Sequence, residues 1–379
     1  MRLPQQIESE ILSRTGLEGL NFRTQSRYTR KLKRVREEMR RLTADFFVNN
    51  PSEAKYSDAY FLYNFPTNVM KTMFVAEEIR KHWSQFLLNR NHYSVLDVGC
   101  GDGAGMIGLY HALKDRVPDV EFRLMGIDSS KIMLDRARQM LQFRSRGDPR
   151  LKARLFQRNA REVCSATSRK KYDIILLVNS LAEIVEDDTL PSDFMGRLYG
   201  SLVEGGLLVI IEPALKKLTR RLMYLRDDLT RHKRIQVILP CLHDGPCALL
   251  NVKGRDEWCH QSVAWSPPEY LRVINQGLNR EIGLLKFSYL VAVRTKVPLS
   301  ATAGYRVVSN LLREKGRSRC YLCSPRGRVE LVRLNKNENQ CNRDFGETAR
   351  GSILRIENAA SVKPLYWQIS DRTTVELID

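Results

Sequence analysis

An α/β fold built on a doubly wound parallel sheet is predicted by three features of this sequence of 379 residues. Strand-like runs alternate with helical patterns between residues 91 and 215, a glycine-rich turn joins the first run to the first helix, and the runs are almost continuously apolar. Continuous apolarity marks strands covered on both faces, as parallel strands with helical crossovers are. A basic helical region is expected before this core, over 1–90, and a small β-rich domain after it, over 301–379. The central domain then occupies 91–300.

In chain order, the helical region is announced by Leu32, Val35, Met39 and Leu42 at helical spacing. Eight of the positions from Arg27 to Arg41 are Lys or Arg. The first strand is read at Ser94–Val98, with its helix running to about Leu113. The second strand, Phe122–Ile127, ends at Asp128 and is followed by a helix from Lys131 to Phe143. Further strands are expected at Lys152–Gln157, Tyr172–Val178 and Leu207–Glu212, the last after a turn at Gly205-Gly206. A basic helix follows over Leu215–His232. Then come short runs at Ile235–Leu239 and Leu284–Val293, with a helix at Glu269–Asn275 between them. Arg328–Leu334, Ser352–Ile356, Leu365–Ile369 and Thr374–Ile378 are the β-like runs of the C-terminal region.

The turn after the first strand reads Val95-Leu96-Asp97-Val98-Gly99-Cys100-Gly101-Asp102-Gly103. Glycines there let the backbone turn sharply and approach a ligand closely. Asp128, at the end of the next strand, can accept hydrogen bonds from both hydroxyls of a ribose. A dinucleotide fold would show G-x-G-x-x-G, whereas this loop is acidic and suits a sulfonium cation better than a pyrophosphate. The pattern therefore points to a class I methyltransferase (Rossmann-like) domain holding S-adenosylmethionine. Asp97, Gly99, Gly101, Gly103 and Asp128 are its expected contacts, joined by Asn159 after the third strand and Asn179 after the fourth. Asn179-Ser180-Leu181 lacks the Pro-Pro-aromatic sequence of many amino-group methyltransferases. No catalytic base or nucleophile is identified.

The formal net charge is +19. An excess of this size points to a polyanionic partner, here RNA rather than a membrane, because no basic helix with an aromatic apolar face is evident. DNA is not expected. The N-terminal residues lack an apolar signal segment and include Glu8, Glu10 and Glu18, which suggests a cytoplasmic protein, with a mitochondrial location as the alternative.

Five of the eight cysteines fall between 241 and 323. Cys241, Cys247 and Cys259 form a C-x5-C-x11-C array among Gly and Pro, and Cys320-Tyr321-Leu322-Cys323 adds two more. Clustered cysteines in a large chain without a signal segment more often hold metal than form disulfides. Spacing alone favours zinc, with an iron–sulfur site and small buried hydrophobes as the other readings. His243 and His260 are further candidate ligands.

Several ordered segments make the sequence similar to the Rsm22 family. They are V-L-D-V-G-C-G-D-G at 95–103, N-S-L-A-E-I at 179–184, I-E-P-A at 211–214, P-C-L-H-D-G-P-C at 240–247, W-C-H at 258–260 and Y-L-C-S-P-R-G-R at 321–328. The F-L-Y-N-F-P at 61–66 is a weaker match. The resemblance implies a factor of the small ribosomal subunit and its rRNA, with a methyltransferase fold in which activity is not assured. It also implies a 4Fe–4S cluster on Cys241, Cys247, Cys259 and Cys323, displacing zinc as the preferred metal. The chain departs from the family at Gln261-Ser262-Val263-Ala264 and at Ala214-Leu215.

Overall fold

A computed structural model describes residues 1–19, 26–48, 57–87, 90–117, 119–161, 170–184, 192–231, 235–250, 257–276, 278, 282–295 and 304–378. Three helices open the chain: α1 (Gln5–Arg14), α2 (Ser26–Val48) and α3 (Ser57–Trp83). Next come β1 (His92–Val98), α4 (Ala104–Leu113), β2 (Glu121–Asp128), α5 (Lys131–Gly147), β3 (Leu151–Gln157) and β4 (Tyr172–Val178). Short helices at Leu181–Ile184 (α6) and Ser192–Gly200 (α7) lead to β5 (Leu202–Pro213), α8 (Lys216–Arg231), β6 (Gln236–Leu239), β7 (Gln261–Ala264), α9 (Glu269–Gln276) and β8 (Leu284–Val293). The C-terminal strands are β9 (Tyr305–Val307), β10 (Leu312–Glu314), β11 (Arg317–Ser324), β12 (Gly327–Leu334), β13 (Ile353–Glu357), β14 (Ala360–Lys363), β15 (Tyr366–Ile369) and β16 (Thr374–Ile378).

The chain divides into two compact units, one of residues 1–78, 87–202 and 263–285, the other of 79–86, 203–262 and 286–379. In the first unit β3, β2, β1 and β4 lie side by side in that order, every pair parallel. The order reverses at β1: β2 and β3 are laid on one side of it and β4 on the other. That is the mixed α/β, doubly wound arrangement expected from the alternating pattern, and its reversal point is where such sheets bind ligands. Tyr93 through Val98 and Tyr172 through Leu177 are buried at every position, so these strands carry no solvent face. Within the same unit Leu32, Val35 and Met39 of α2 are buried, as their helical spacing requires. Arg36 of α2 donates to the carbonyls of Val273 and Ile274, which lie in the last turn of α9.

The second unit contains two β layers. β8 pairs antiparallel with both β5 and β6, and β9–β16 form a separate, mostly antiparallel sheet ordered β14-β15-β12-β11-β9-β13-β16, with β10 on β11. In β11 the two-residue alternation of a strand sends Cys320 and Leu322 into a core with Val329, Leu331, Phe345 and Leu354. Tyr321 and Cys323 take the opposite face.

Two expectations need correction. No turn separates Gly205-Gly206 from the fifth strand: β5 runs unbroken from Leu202, and Gly205 sits inside it at φ 70. The Cys320–Cys323 segment, left unassigned by its mixed polarity, is a central strand.

Candidate functional site

The glycine loop is built by β1 and β2 together. At the end of β1, the Gly99 and Cys100 amides both donate to the Ile127 carbonyl of β2, at 2.8 and 3.0 Å. Gly99, Gly101 and Gly103 have φ of 70, 50 and 84. A side chain is disfavoured at each, and at Gly99 it would also have no room, since a Cβ there would stand 2.4 Å from Ser180 Cβ. Ser180 in turn donates to the Val98 carbonyl at 2.6 Å, so the turn after β4 is pinned directly to the turn after β1.

Asp128 accepts from the Gly101 and Ser130 amides, each at 2.8 Å. It therefore braces the loop as well as facing the reversal point. A carboxylate oxygen has two lone pairs, so both oxygens retain capacity for ribose hydroxyls. Asp97 is fully buried, and neither oxygen makes a hydrogen bond of ordinary geometry among the described residues, although the Met106 amide lies close enough to favour its charge. Burial first, and then the nearby Asp128, pushes its pKa up to about 8. Burial likewise raises Asp102 to about 7, with the Ala104 amide opposing, and raises Asp128. Arg136 opposes the rise at Asp102, but no cation among the described residues does so at Asp97, where a positively charged ligand would favour the ionised form.

Asn159 and Asn179 occupy the corresponding ends of β3 and β4. Asn159 is exposed, and its Oδ1 accepts from the Arg161 amide at 2.9 Å. Asn179 has φ 57, a strained value for a residue with a side chain. Its Nδ2 donates to Asn68 Oδ1 at 2.9 Å, while its own buried Oδ1 finds no partner among the described residues. Asn68, on α3, was not singled out in the sequence because nothing in its local pattern distinguishes it from any other buried helical amide.

The second unit holds the cysteine site. Cys241, Cys247, Cys259 and Cys323 all line one cavity of about 60 Å³. Cys320 does not reach it. The Cys241–Cys247 loop is held by Arg226 of α8, a side chain 2% exposed that donates to the carbonyls of His243 and Gly245. Asp227 accepts from the Cys247 amide at 3.0 Å, and Ser288 of β8 donates to the Cys259 carbonyl at 2.9 Å. The hairpin after β11 closes on the same loop: a Cβ on Gly245 would stand 3.1 Å from Pro325. His243 Nε2 lies 3.3 Å from Cys323 Sγ, beside a thiol rather than as a separate ligand.

Burial, and next the neighbouring Cys241, raises Cys247 to about 11 and Cys259 to about 12. Cys323 is raised well above its usual value by burial and then by the other three. Buried in this way, Cys247, Cys259 and Cys323 stay protonated unless positive charge sits among them. Arg226, Arg306 and Arg350 supply part of it from the protein side. Among the described residues no three His, Cys, Asp or Glu side chains are grouped to hold a metal ion.

The model of the family described as mitochondrial small ribosomal subunit Rsm22 matches residues 54–352. Comparison with curated protein sequences returned no relative. Among solved structures, the chain is similar to a Listeria monocytogenes protein assigned as a class I S-adenosylmethionine-dependent methyltransferase (12% identity, 74% of this chain, 72% of that one, TM-score 0.39). It is also similar to magnesium protoporphyrin IX methyltransferase from Synechocystis PCC 6803 with bound S-adenosylmethionine (13% identity, 61% and 84% covered, TM-score 0.30). A third is a ribosomal protein L11 methylase from Lactobacillus delbrueckii subsp. bulgaricus (14% identity, 60% and 79% covered, TM-score 0.33). At these scores the fold assignment rests on the strand order described above.

Proposed function

The chain belongs to the Rsm22 family of the mitochondrial small ribosomal subunit, and from that membership we propose that it is a small-subunit-associated, rRNA-binding factor with a methyltransferase fold. On this reading the glycine loop, Asp97 and Asp128 take S-adenosylmethionine. Cys241, Cys247, Cys259 and Cys323 hold a 4Fe–4S cluster, with zinc as the alternative. The family's description favours the mitochondrial location over the cytoplasmic one.

The observation that carries the cluster is the single cavity shared by the four thiols, in a chain where Cys320 and the exposed Cys341 are kept out of it. Such a cluster, when bound, joins loop and hairpin covalently, and the protein's part is to orient the thiols and exclude water. Cofactor binding at the first unit is supported by the buried Asp97, which no cation among the described residues compensates. RNA binding is supported by exposed Arg30, Lys33, Arg34 and Arg41 on α2.

A second reading, active methyl transfer to rRNA, is favoured by one feature: the unpartnered Oδ1 of Asn179 beside the loop. An amide oxygen can orient a target N–H but cannot remove a proton at neutral pH, so that reading suits a nucleophile that needs no base. Sucrose-gradient cosedimentation of anaerobically purified protein with mitochondrial small subunits tests the proposal. Migration with the subunit, and ultraviolet cross-links to its rRNA, are expected; a protein that stays at the top of the gradient overturns it.

A further inference from the structure

Next to the thiol cavity, in the same unit, lies a second cavity of about 280 Å³ walled by Trp258, His260, Tyr321, Arg328, Arg350 and Glu257. It stands just under the roughly 300–1,000 Å³ typical of small-molecule pockets, a size for one planar group. Leu249, His260 and Val308 face both cavities.

Its chemistry is specific. The Trp258 and His260 rings are 6.1 Å apart and inclined by only 30°. Arg328 lies 4.1 Å from the centre of the Tyr321 ring and pairs with Glu257, which leaves that acid compensated. Trp258 Nε1 is a buried donor without an acceptor among the described residues. The surface leading to it repeats the theme: Arg220 donates to the Glu257 carbonyl at 2.9 Å and lies 5.9 Å from the ring of Tyr224, which is 56% exposed.

We infer that this pocket takes one unstacked base of single-stranded RNA, with its ring against Trp258 and Tyr321 and the adjacent phosphate toward Arg350. Aromatic faces interleaved with guanidinium groups are how sequence-tolerant single-strand sites are built. A bare anion would leave the aromatic faces unused. The inference rests on the RNA-binding reading above and locates one contact within it.

The test is photochemical cross-linking of the intact, anaerobically purified chain to a short oligoribonucleotide carrying one 4-thiouridine. Cross-links are expected on Trp258, Tyr321 or their immediate neighbours. Trp258→Ala should weaken binding in fluorescence anisotropy by about 5- to 150-fold at unchanged salt slope, and Trp258→Phe should recover the part due to stacking. Tyr321→Leu gives the same information from a residue not adjacent to a proposed cluster ligand. Competition by free mononucleotides at concentrations far below those of oligomer phosphates would assign the site to a free nucleotide and overturn the RNA inference. Salt-sensitive binding with cross-links confined to α2 overturns the pocket and leaves the RNA-binding reading standing. Absence of any oligonucleotide binding overturns both.

Discussion

Asp97 shows what a single residue contributes when it is buried as an acid with no cation beside it. Its folded pKa of about 8 lies above the ordinary 3.8. Between those values the folded state binds a proton that the unfolded chain has released. Its stabilising contribution is therefore complete below about pH 4 and lost as pH rises through 8. Thermal unfolding of the ligand-free protein should fall over that window, and Asp97→Asn should flatten the fall; an unaltered slope in the variant would remove Asp97 as its source. A cationic ligand favours the ionised form, so S-adenosylmethionine affinity should rise with pH toward 8. At Asp128, loss of the carboxylate removes both a ribose acceptor and the brace to the Gly101 amide. Asp128→Ala should weaken cofactor binding by roughly 1–3 kcal/mol in calorimetry, and Gly101→Arg should abolish it; unchanged affinity in both excludes this loop. Gly99→Ala meets Ser180 at 2.4 Å in a left-handed conformation and should cost about 2–4 kcal/mol of stability, read as a lowered melting temperature.

Helices α2 and α8 separate the charge that meets solvent from the charge that holds the fold, a division their sequences do not display. Arg221 and Arg226 of α8 are buried, and Arg226 grips the cysteine loop. Lys31 and Arg36 of α2 are spent on the carbonyls of Thr15, Val273 and Ile274. Replacing exposed Arg30, Lys33, Arg34 and Arg41 by Ala should lower the log–log salt slope of RNA binding by about 3, at roughly 0.7–0.9 per phosphate contact. Arg36→Ala should instead lower the melting temperature with little change in slope. A wild-type slope near zero would remove phosphate contact as the reason for the net charge. The same elements show what was legible. β1, β4 and β8 stand out because they are mostly apolar, and α4 because a glycine turn precedes it. β11 was hidden because Arg317, Arg319 and Tyr321 alternate with its core residues, and β5 was read only from Leu207 because Glu204 and two glycines interrupt its start. The inward arginines left no local sign, since only their distant carbonyl partners distinguish them from solvated ones.

At the scale of the whole molecule, each compact unit carries one candidate site, and each is assembled from distant segments around a backbone turn. The first was visible in sequence because its glycines, strand and acid lie within about one βαβ unit. The second was visible as a crowd of cysteines, from which the family resemblance chose Cys323 over Cys320, and strand geometry gives a physical reason for separating the two. Residues 320 and 323 are three apart, an odd number, so a strand must send them to opposite faces. Cys320 is fully buried among Leu322, Val329 and Leu331, and Cys323 lies on the thiol cavity. The two thiols thus make separable predictions. Anaerobic protein should be brown, carry about four irons per chain as a cysteine-ligated 4Fe–4S cluster does, and bleach in air. Cys323→Ser should lose that iron and expose the β9–β16 region to protease, because the link from the Cys241–Cys259 loops to β11 is gone. Cys320→Ser places a hydroxyl in an apolar core without a ready partner, so it should lower the melting temperature by an amount corresponding to about 1–3 kcal/mol while keeping the iron. Elemental analysis with the visible spectrum distinguishes the outcomes: stoichiometric zinc without iron overturns the cluster, and equal iron loss in both serine variants overturns the assignment of Cys323 as its fourth ligand.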